Sequence, residues 1–286
     1  MSTNNDVNYK KVSKFLGSSF KQLVMILMSI SVLFPIFYMI MTSFKTKMDY
    51  VGNRLGFPEQ FVLSNYITAF QGKTFALWLT NSIIVTLGSV ILSAIISAFA
   101  AYSFSRLRFT GKEKLFNFII TLMVIPPVVM VIPLFVTMAK LGLVNNYFGA
   151  ILVYSGLLVP FSVYLLRNFF ITIPQSLLDA AMIDGCSKFK AFIKIVLPLS
   201  MPAIMTLIIV NALWVWNELL IAIIFLQKSE LRTLMVGLTV FRGRFKVDQP
   251  VIMASLLLAS IPMILLYLFG QRFFVRGMMS GSLKGE

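Results

Sequence analysis

The chain has 286 residues, of which 58% are hydrophobic and only 12% charged, with a mean hydropathy of +0.89. A soluble globular domain carries about 45–50% apolar and about 25% charged residues, so an ordinary water-soluble enzyme is excluded. Disorder is excluded too, because it needs low hydrophobicity. A net charge of +15 on a soluble protein would suggest nucleic acid. On a chain this apolar it fits basic loops held at an anionic membrane leaflet, with the lipid bilayer and not nucleic acid as partner. The sequence has no histidine and one cysteine, Cys186. An intramolecular disulfide, a His/Cys metal site and a His-based triad are therefore ruled out.

Charged residues divide the chain into apolar stretches. Residues 22–44, 74–105, 115–139, 141–166, 195–217 and 249–271 carry none, and a membrane-spanning helix needs about 20 apolar residues. The expected fold class is an all-α integral membrane protein with six transmembrane helices, near 23–43, 82–104, 116–138, 148–166, 201–226 and 251–270. Residues 1–22 read as an N-terminal segment, 23–270 as the transmembrane domain and 271–286 as a C-terminal tail. The first span is too long for a cleaved signal peptide and lacks a small-residue cleavage site. With six spans both ends share one side, and the basic residues favour the cytoplasm by a modest margin. Arg242, Arg244 and Lys246 sit on the opposite side.

Several spans carry breakers. Pro35 lies in the first, Pro126, Pro127 and Pro133 in the third, and Pro160 in the fourth. Proline removes a backbone hydrogen bond and kinks a helix, which reads either as bundle geometry or as a pathway wall that bends between two states. Gly88, Ser89, Ser93, Ala94, Ser97, Ala98, Ala100 and Ala101 in the second span form a small-residue face that admits a close neighbour.

The loop over 167–198 has its own pattern. Pro174 closes the preceding helix, and Ser176 with Asp179 forms an S-x-x-D start. The spacing predicts a helix over 177–184, ended by Gly185 in the left-handed position. Ser187 then caps a second short helix that carries Phe189, Phe192, Ile193 and Val196 and stops before Pro198. Such a unit presents Ala180, Ala181 and an aromatic stripe to something. Read from pattern alone, it serves equally as an amphipathic helix among lipid headgroups, aided by Lys188, Lys190 and Lys194.

Asp179-Ala180-Ala181 with Asp184-Gly185, followed by Phe192, Leu197-Pro198-Leu199 and Pro202, resembles the EAA loop of permease subunits of ATP-binding-cassette (ABC) importers. The resemblance implies that this loop is a cytoplasmic coupling helix docking on an ATPase subunit through Asp179, Ala180, Ala181, Asp184, Gly185, Cys186, Phe192 and Pro198. Asp179 replaces the family's leading Glu, and Cys186 replaces an Ala. Phe57-Pro58, Ser64-Asn65-Tyr66, Trp78 to Ser82, Ala101 to Arg106 with Gly111-Lys112, Ile125-Pro126, Ile132-Pro133-Leu134 and Trp216-Asn217-Glu218 continue the resemblance. So do Gln271 to Gly277 and the glycine-rich end from Gly281 to Gly285. Together these are similar to the carbohydrate branch, most of all the shorter maltose-type permease. The resemblance implies a second permease subunit in a heterodimer, two ATP-binding subunits, an extracytoplasmic sugar-binding protein and a carbohydrate substrate. It places the chain in the inner membrane, with both ends cytoplasmic.

The chain has no G-x-x-x-x-G-K-[ST] phosphate loop: Glu113 follows Gly111-Lys112, and Arg106 stands where the first glycine belongs. No cofactor and no enzymatic activity are expected, ATP being bound by partner subunits. Glu218 is the acidic residue inside a predicted span, where a carboxylate marks a pathway or a paired site. With Trp216 and Asn217 it has the aromatic and polar character a sugar site needs, although a structural role, with Glu218 held by a backbone or Arg partner to fix the fifth helix, is the favoured reading. Tyr154 and Ser155 are further pathway candidates, on polar character inside a span. Alternatives are a permease for amino acids or peptides and an ion-coupled secondary transporter. The latter calls for inverted repeats and an intramembrane ion site, neither of which is evident.

Overall fold

The computed structural model describes residues 3–70, 74–244 and 248–282, with side chains described for 18–70, 74–239 and 248–271. Arg242, Arg244, Lys246 and the tail from Arg272 to Gly285 lie outside the residues with described side chains. Every regular element among the described residues is helical. Among the described residues, four helical stretches are long and apolar enough to cross a membrane: Ser18–Ser43, Thr74–Arg106, Tyr147–Thr172 and Gln249–Gln271. Two more are broken, Lys112–Val124 with Pro127–Lys140 bent by 103°, and Lys188–Leu199 with Met201–Asn217 bent by 72°. Counting each bent pair as one span makes six.

The chain divides into two units, residues 1–69 with 242–258 and residues 70–241 with 259–286. In the first unit, α1 (Thr3–Ser43) runs unbroken through Pro35. The expected boundary between an N-terminal segment and a span at residue 22 therefore falls inside one helix. A short knot comes next, built on α2 (Lys47–Gly52) and α3 (Ser64–Phe70). Asn65 donates to the Ser43 and Lys45 carbonyls, both at 2.8 Å, and Tyr66 shares a 2.7 Å hydrogen bond with Ser43. Phe44 packs between Phe61 and Tyr66. Lys45 is fully buried and donates to the Asn53 carbonyl. The Ser-Asn-Tyr run thus fastens the end of the first span.

The second unit is organised by α4 (Thr74–Arg106), against which α7 packs after α5 (Lys112–Thr121) and α6 (Pro127–Lys140). The small-residue face of α4 lies on α7 (Tyr147–Thr172). A side chain at Gly88 would reach within 2.5 Å of Ile151, and Ser155 donates to the Ser89 carbonyl at 3.2 Å. Close approach of this kind is what small residues permit. The third expected span breaks because Pro126 and Pro127 lack N–H groups and push the residue before them out of the α region. Ile125 (ψ 117°) and Pro126 (ψ 133°) are extended, and Pro127 opens α6. Pro35, Pro133 and Pro160, by contrast, lie inside continuous helices.

The chain then runs through α8 (Gln175–Ile183), α9 (Lys188–Ala191), a π-helical turn (Phe192–Val196) and α10 (Leu197–Leu199) into α11 (Met201–Asn217). The fifth expected span, 201–226, ends early. α11 stops at Asn217, and α12 (Leu220–Phe225) resumes after an extended Glu218. At 1.5 Å per residue α11 is roughly 26 Å long, short of a hydrocarbon core of about 30 Å. α13 (Leu234–Arg244) and α14 (Gln249–Ser282) complete the order. The C-terminal tail expected from 271 is helical as far as Ser282 and continuous with the last span.

Side-chain bonds sort the loops of this unit onto two ends. At one end Asn81 donates to the Glu230 and Arg232 carbonyls at 2.8 and 2.9 Å and accepts from Tyr147 at 2.6 Å. There too Asn145 accepts from the backbone of Gln227 and Lys228. At the other end lie Arg106, Glu113, Arg167 and the segment after Thr172. α4 and α7 therefore run parallel. Asn81 is 1% exposed, so Asn81→Leu strips partners from two carbonyls and a hydroxyl. It should cost about 1–3 kcal/mol, seen as a lowered thermal unfolding midpoint of the detergent-solubilised protein.

Candidate coupling elbow and cavity

The segment after α7 is a helix-turn-helix elbow. α8 begins at Gln175 directly after Pro174, earlier than Ser176 would set it, so the expected Ser176/Asp179 capping start does not form. The Asp179 carboxylate instead accepts from the Gln175 side-chain amide at 3.0 Å. Its other end is as the spacing predicts: Gly185 has φ +79°. Cys186 N–H donates to the Ala181 carbonyl at 2.9 Å and Gly185 N–H to Met182 at 3.1 Å, the paired closure of a Schellman motif. Ser187 caps α9, accepting from Lys190 N–H. The second helix does not stop before Pro198, which sits inside the helical turn of α10.

Burial divides the expected coupling residues. Asp179, Ala180, Asp184, Gly185 and Pro198 are exposed, and Ala181 and Cys186 half-buried. Phe192 is not presented at all. It is 2% exposed and packs on Tyr102, Phe99 and Phe170 at 4.7, 5.3 and 6.4 Å between ring centroids. An aromatic two-turn pattern cannot tell an anchor from a contact, and here Phe192 is the anchor. Leu178 points into the same cluster, which also holds Ala101, Leu166, Val196 and Leu207. On α8 Ile183 is 87% exposed, and Leu177 and Met182 are partly exposed, Met182 lying one turn from the buried Leu178 on the same side of the helix.

Beyond α11, the Glu218 carboxylate accepts from Ile221 N–H at 2.9 and 3.1 Å, Ala222 N–H at 3.3 Å and the Tyr154 hydroxyl at 2.7 Å. It caps the N-terminus of α12, where unpaired N–H groups and the helix dipole favour an anion. Trp216 is buried, donating to the Ala259 carbonyl at 3.2 Å, and the Asn217 amide folds back on Leu213. Ser155 is 2% exposed and bonded to the Ile151 and Ser89 carbonyls.

A cavity of about 260 Å³ lies beside these residues, and its lining differs from the expected pathway set. Met123 and Pro127 come from the break before α6, Leu157 and Phe161 from α7, and Asn211 and Trp214 from α11. None of Tyr154, Ser155, Trp216, Asn217 and Glu218 lines it. Tyr154 meets the Trp214 ring edge-on, with centroids 6.1 Å apart, so Glu218 and Tyr154 brace a cavity wall. Asn211 and Phe161 carry no motif signal; only helix spacing, Asn211 and Trp214 being three apart on one face, points to them. Among the described residues no cluster of Cys, Asp and Glu could hold a metal ion.

Residues 91–280 match the family of binding-protein-dependent transport system inner membrane components. The chain is 35% identical over 274 residues to the sulfoquinovosyl glycerol transport system permease SmoH of Agrobacterium fabrum, covering 96% of each. It is 34% identical over 264 residues to the trehalose/maltose permease MalG of Thermococcus litoralis, covering 91% of this chain and 95% of that one. A crystal structure of a bacterial ABC transporter that imports the acidic polysaccharide alginate contains a chain that superposes with a TM-score of 0.83 at 26% identity. The superposition covers 92% of this chain and 98% of that one. The protein is a multi-pass inner-membrane permease subunit of the binding-protein-dependent ABC importer family, and a transport component, not an enzyme.

Proposed function

We propose that this permease imports sugars or oligosaccharides, pairing with a second permease subunit to form the pathway and with two ATPase subunits that bind and hydrolyse ATP. Carbohydrate as cargo is supported by the sugar substrates named for similar permeases. Both chain ends lie in the cytoplasm, and an extracytoplasmic binding protein delivers its sugar at the Asn81–Asn145 end. The observation that supports the coupling role is the elbow itself, a closed helix-turn-helix that leaves Asp179, Ala180, Asp184 and Gly185 exposed while Leu178 and Phe192 root it in the helices.

ATP closes the two ATPase subunits; residues 179–186 move with the groove that receives them; the helices rotate and the pathway opens outward. Hydrolysis resets the cycle. This is a two-state bundle biased by one local contact. The cavity beside Trp214 is lined by Met123 and Pro127 at the break before α6, so a change of bend at Pro126 changes its shape.

The direct test is co-expression with candidate partner subunits. Nucleotide-dependent sugar uptake by vesicles holding the complete complex is expected, and solute movement by this chain alone, without any ATPase, would overturn the reading. Gly185→Leu forces a branched side chain into φ +79°, at a cost of about 1–2 kcal/mol. ATPase co-purification should drop about tenfold while the permease stays in the membrane; unchanged co-purification and uptake would discard the lever. Glu218→Gln keeps an acceptor for Tyr154 and Ile221 but loses the charge at the α12 N-terminus. It should lower uptake about threefold with assembly retained, whereas Glu218→Ala should lower both.

A further inference from the structure

The ends of α4 and α7 exchange arginines. Arg106, the last residue of α4, donates through one guanidinium nitrogen to the Phe170 and Ile173 carbonyls and through another to the Gln175 side-chain oxygen at 2.9 Å. Arg167, near the end of α7, donates back to the Phe104 carbonyl at 3.2 Å, pairs with Glu113 at 2.9 Å and lies 3.9 Å above the Phe116 ring. Two parallel helices bring two negative C-terminal ends together, and each arginine supplies the donors and the charge that the other end lacks.

Gln175 extends this clasp onto the elbow. Its oxygen accepts from Arg106 and its amide nitrogen donates to Asp179, one turn along α8. On the far side of the elbow, the Tyr102 hydroxyl, also from α4, donates to the Lys188 carbonyl at 3.0 Å. The elbow is therefore held to α4 on both flanks by side chains, not only by the peptide link through Pro174.

We propose that Arg106 is a positioning residue that, through Gln175 and Asp179, locks the angle of α8 to the ends of α4 and α7, so that a displacement of the elbow reaches α4 without slack. This rests on the reading of the elbow as the ATPase contact. The guanidinium fork is required: a lysine ammonium is a point donor on a flexible stem and cannot hold two backbone carbonyls and an amide in one plane.

The test uses the complete complex in lipid nanodiscs, with nitroxides attached through p-acetylphenylalanine incorporated at positions 176 and 108, so that Cys186 is left in place. Interspin distances are measured by pulsed paramagnetic resonance without nucleotide and with ATP plus EDTA. The parent should show one narrow distance, identical in both states. Gln175→Leu, a surface change that removes both bonds, should broaden that distance and make it ATP-dependent while the ATPase subunits still co-purify. Arg106→Lys should do the same. A role confined to stability would lower the yield and leave the surviving complexes with the parental distance, and that result overturns the proposal, as does a parental distance that shifts with ATP. If Arg106→Lys does not assemble, Gln175→Leu decides alone. A parent preparation that captures no ATPase subunit removes the reading of the elbow itself, and the proposal with it.

Discussion

Arg106 of α4 holds the end of the neighbouring α7, donating to the Phe170 carbonyl, which also accepts the Ile173 N–H at 3.3 Å, and to the Ile173 carbonyl just past the last helical residue. Orphan carbonyls at a helix end must be satisfied by side chains, water or a tightened turn. Here a guanidinium does so at the point where the chain leaves the bundle. Because Arg167 donates in return to the end of α4, the two helices terminate level with one another, and the segment after Thr172 starts from a defined place and direction.

That definition makes the elbow more than a surface loop. Its inner flank is anchored by Leu178, Ala191 and Phe192, all buried in the cluster shared with Ala101, Phe170 and Leu207. Its turn is closed by the backbone around Gly185. On the other side Asp179, Ala180 and Ile183 are exposed. In the proposed coupling role, a segment rooted in this way moves with the helices that hold it. The same rooting explains why Phe192, although it falls within the motif, serves the loop from inside.

The broken helices are the second constraint. A membrane tolerates a break only where neighbouring protein or a lined cavity satisfies the freed groups. Both conditions are met: Pro127 sits on the wall of the cavity, and the gap after Asn217 is closed by the Glu218 carboxylate on the N–H groups of α12. A charged group inside a span is thus accounted for by backbone capping and a tyrosine hydroxyl, and its link to the pathway runs through Tyr154 and Trp214 and not through direct exposure.

Charge-free stretches, the proline pair at 126 and 127, the glycine at 185 and the cap at Ser187 are local signals, each acting within a few residues of itself. They determined from sequence alone the membrane class, the approximate places of the spans and the turn of the elbow, while the family resemblance rested on motif residues such as Asp179-Ala180-Ala181 and Trp216-Asn217-Glu218. What they could not determine is which residues from distant stretches meet. Arg106 and Gln175 are 69 positions apart, and Tyr154 and Glu218 are 64 apart; no periodicity connects them. The burial of Phe192, the capping role of Glu218, the start of α8 at Gln175 and the lining of the cavity by Phe161 and Asn211 were decided only by packing. The physical reason is that a hydrogen bond or a ring contact between separate helices depends on their relative placement and rotation, which the whole bundle sets at once.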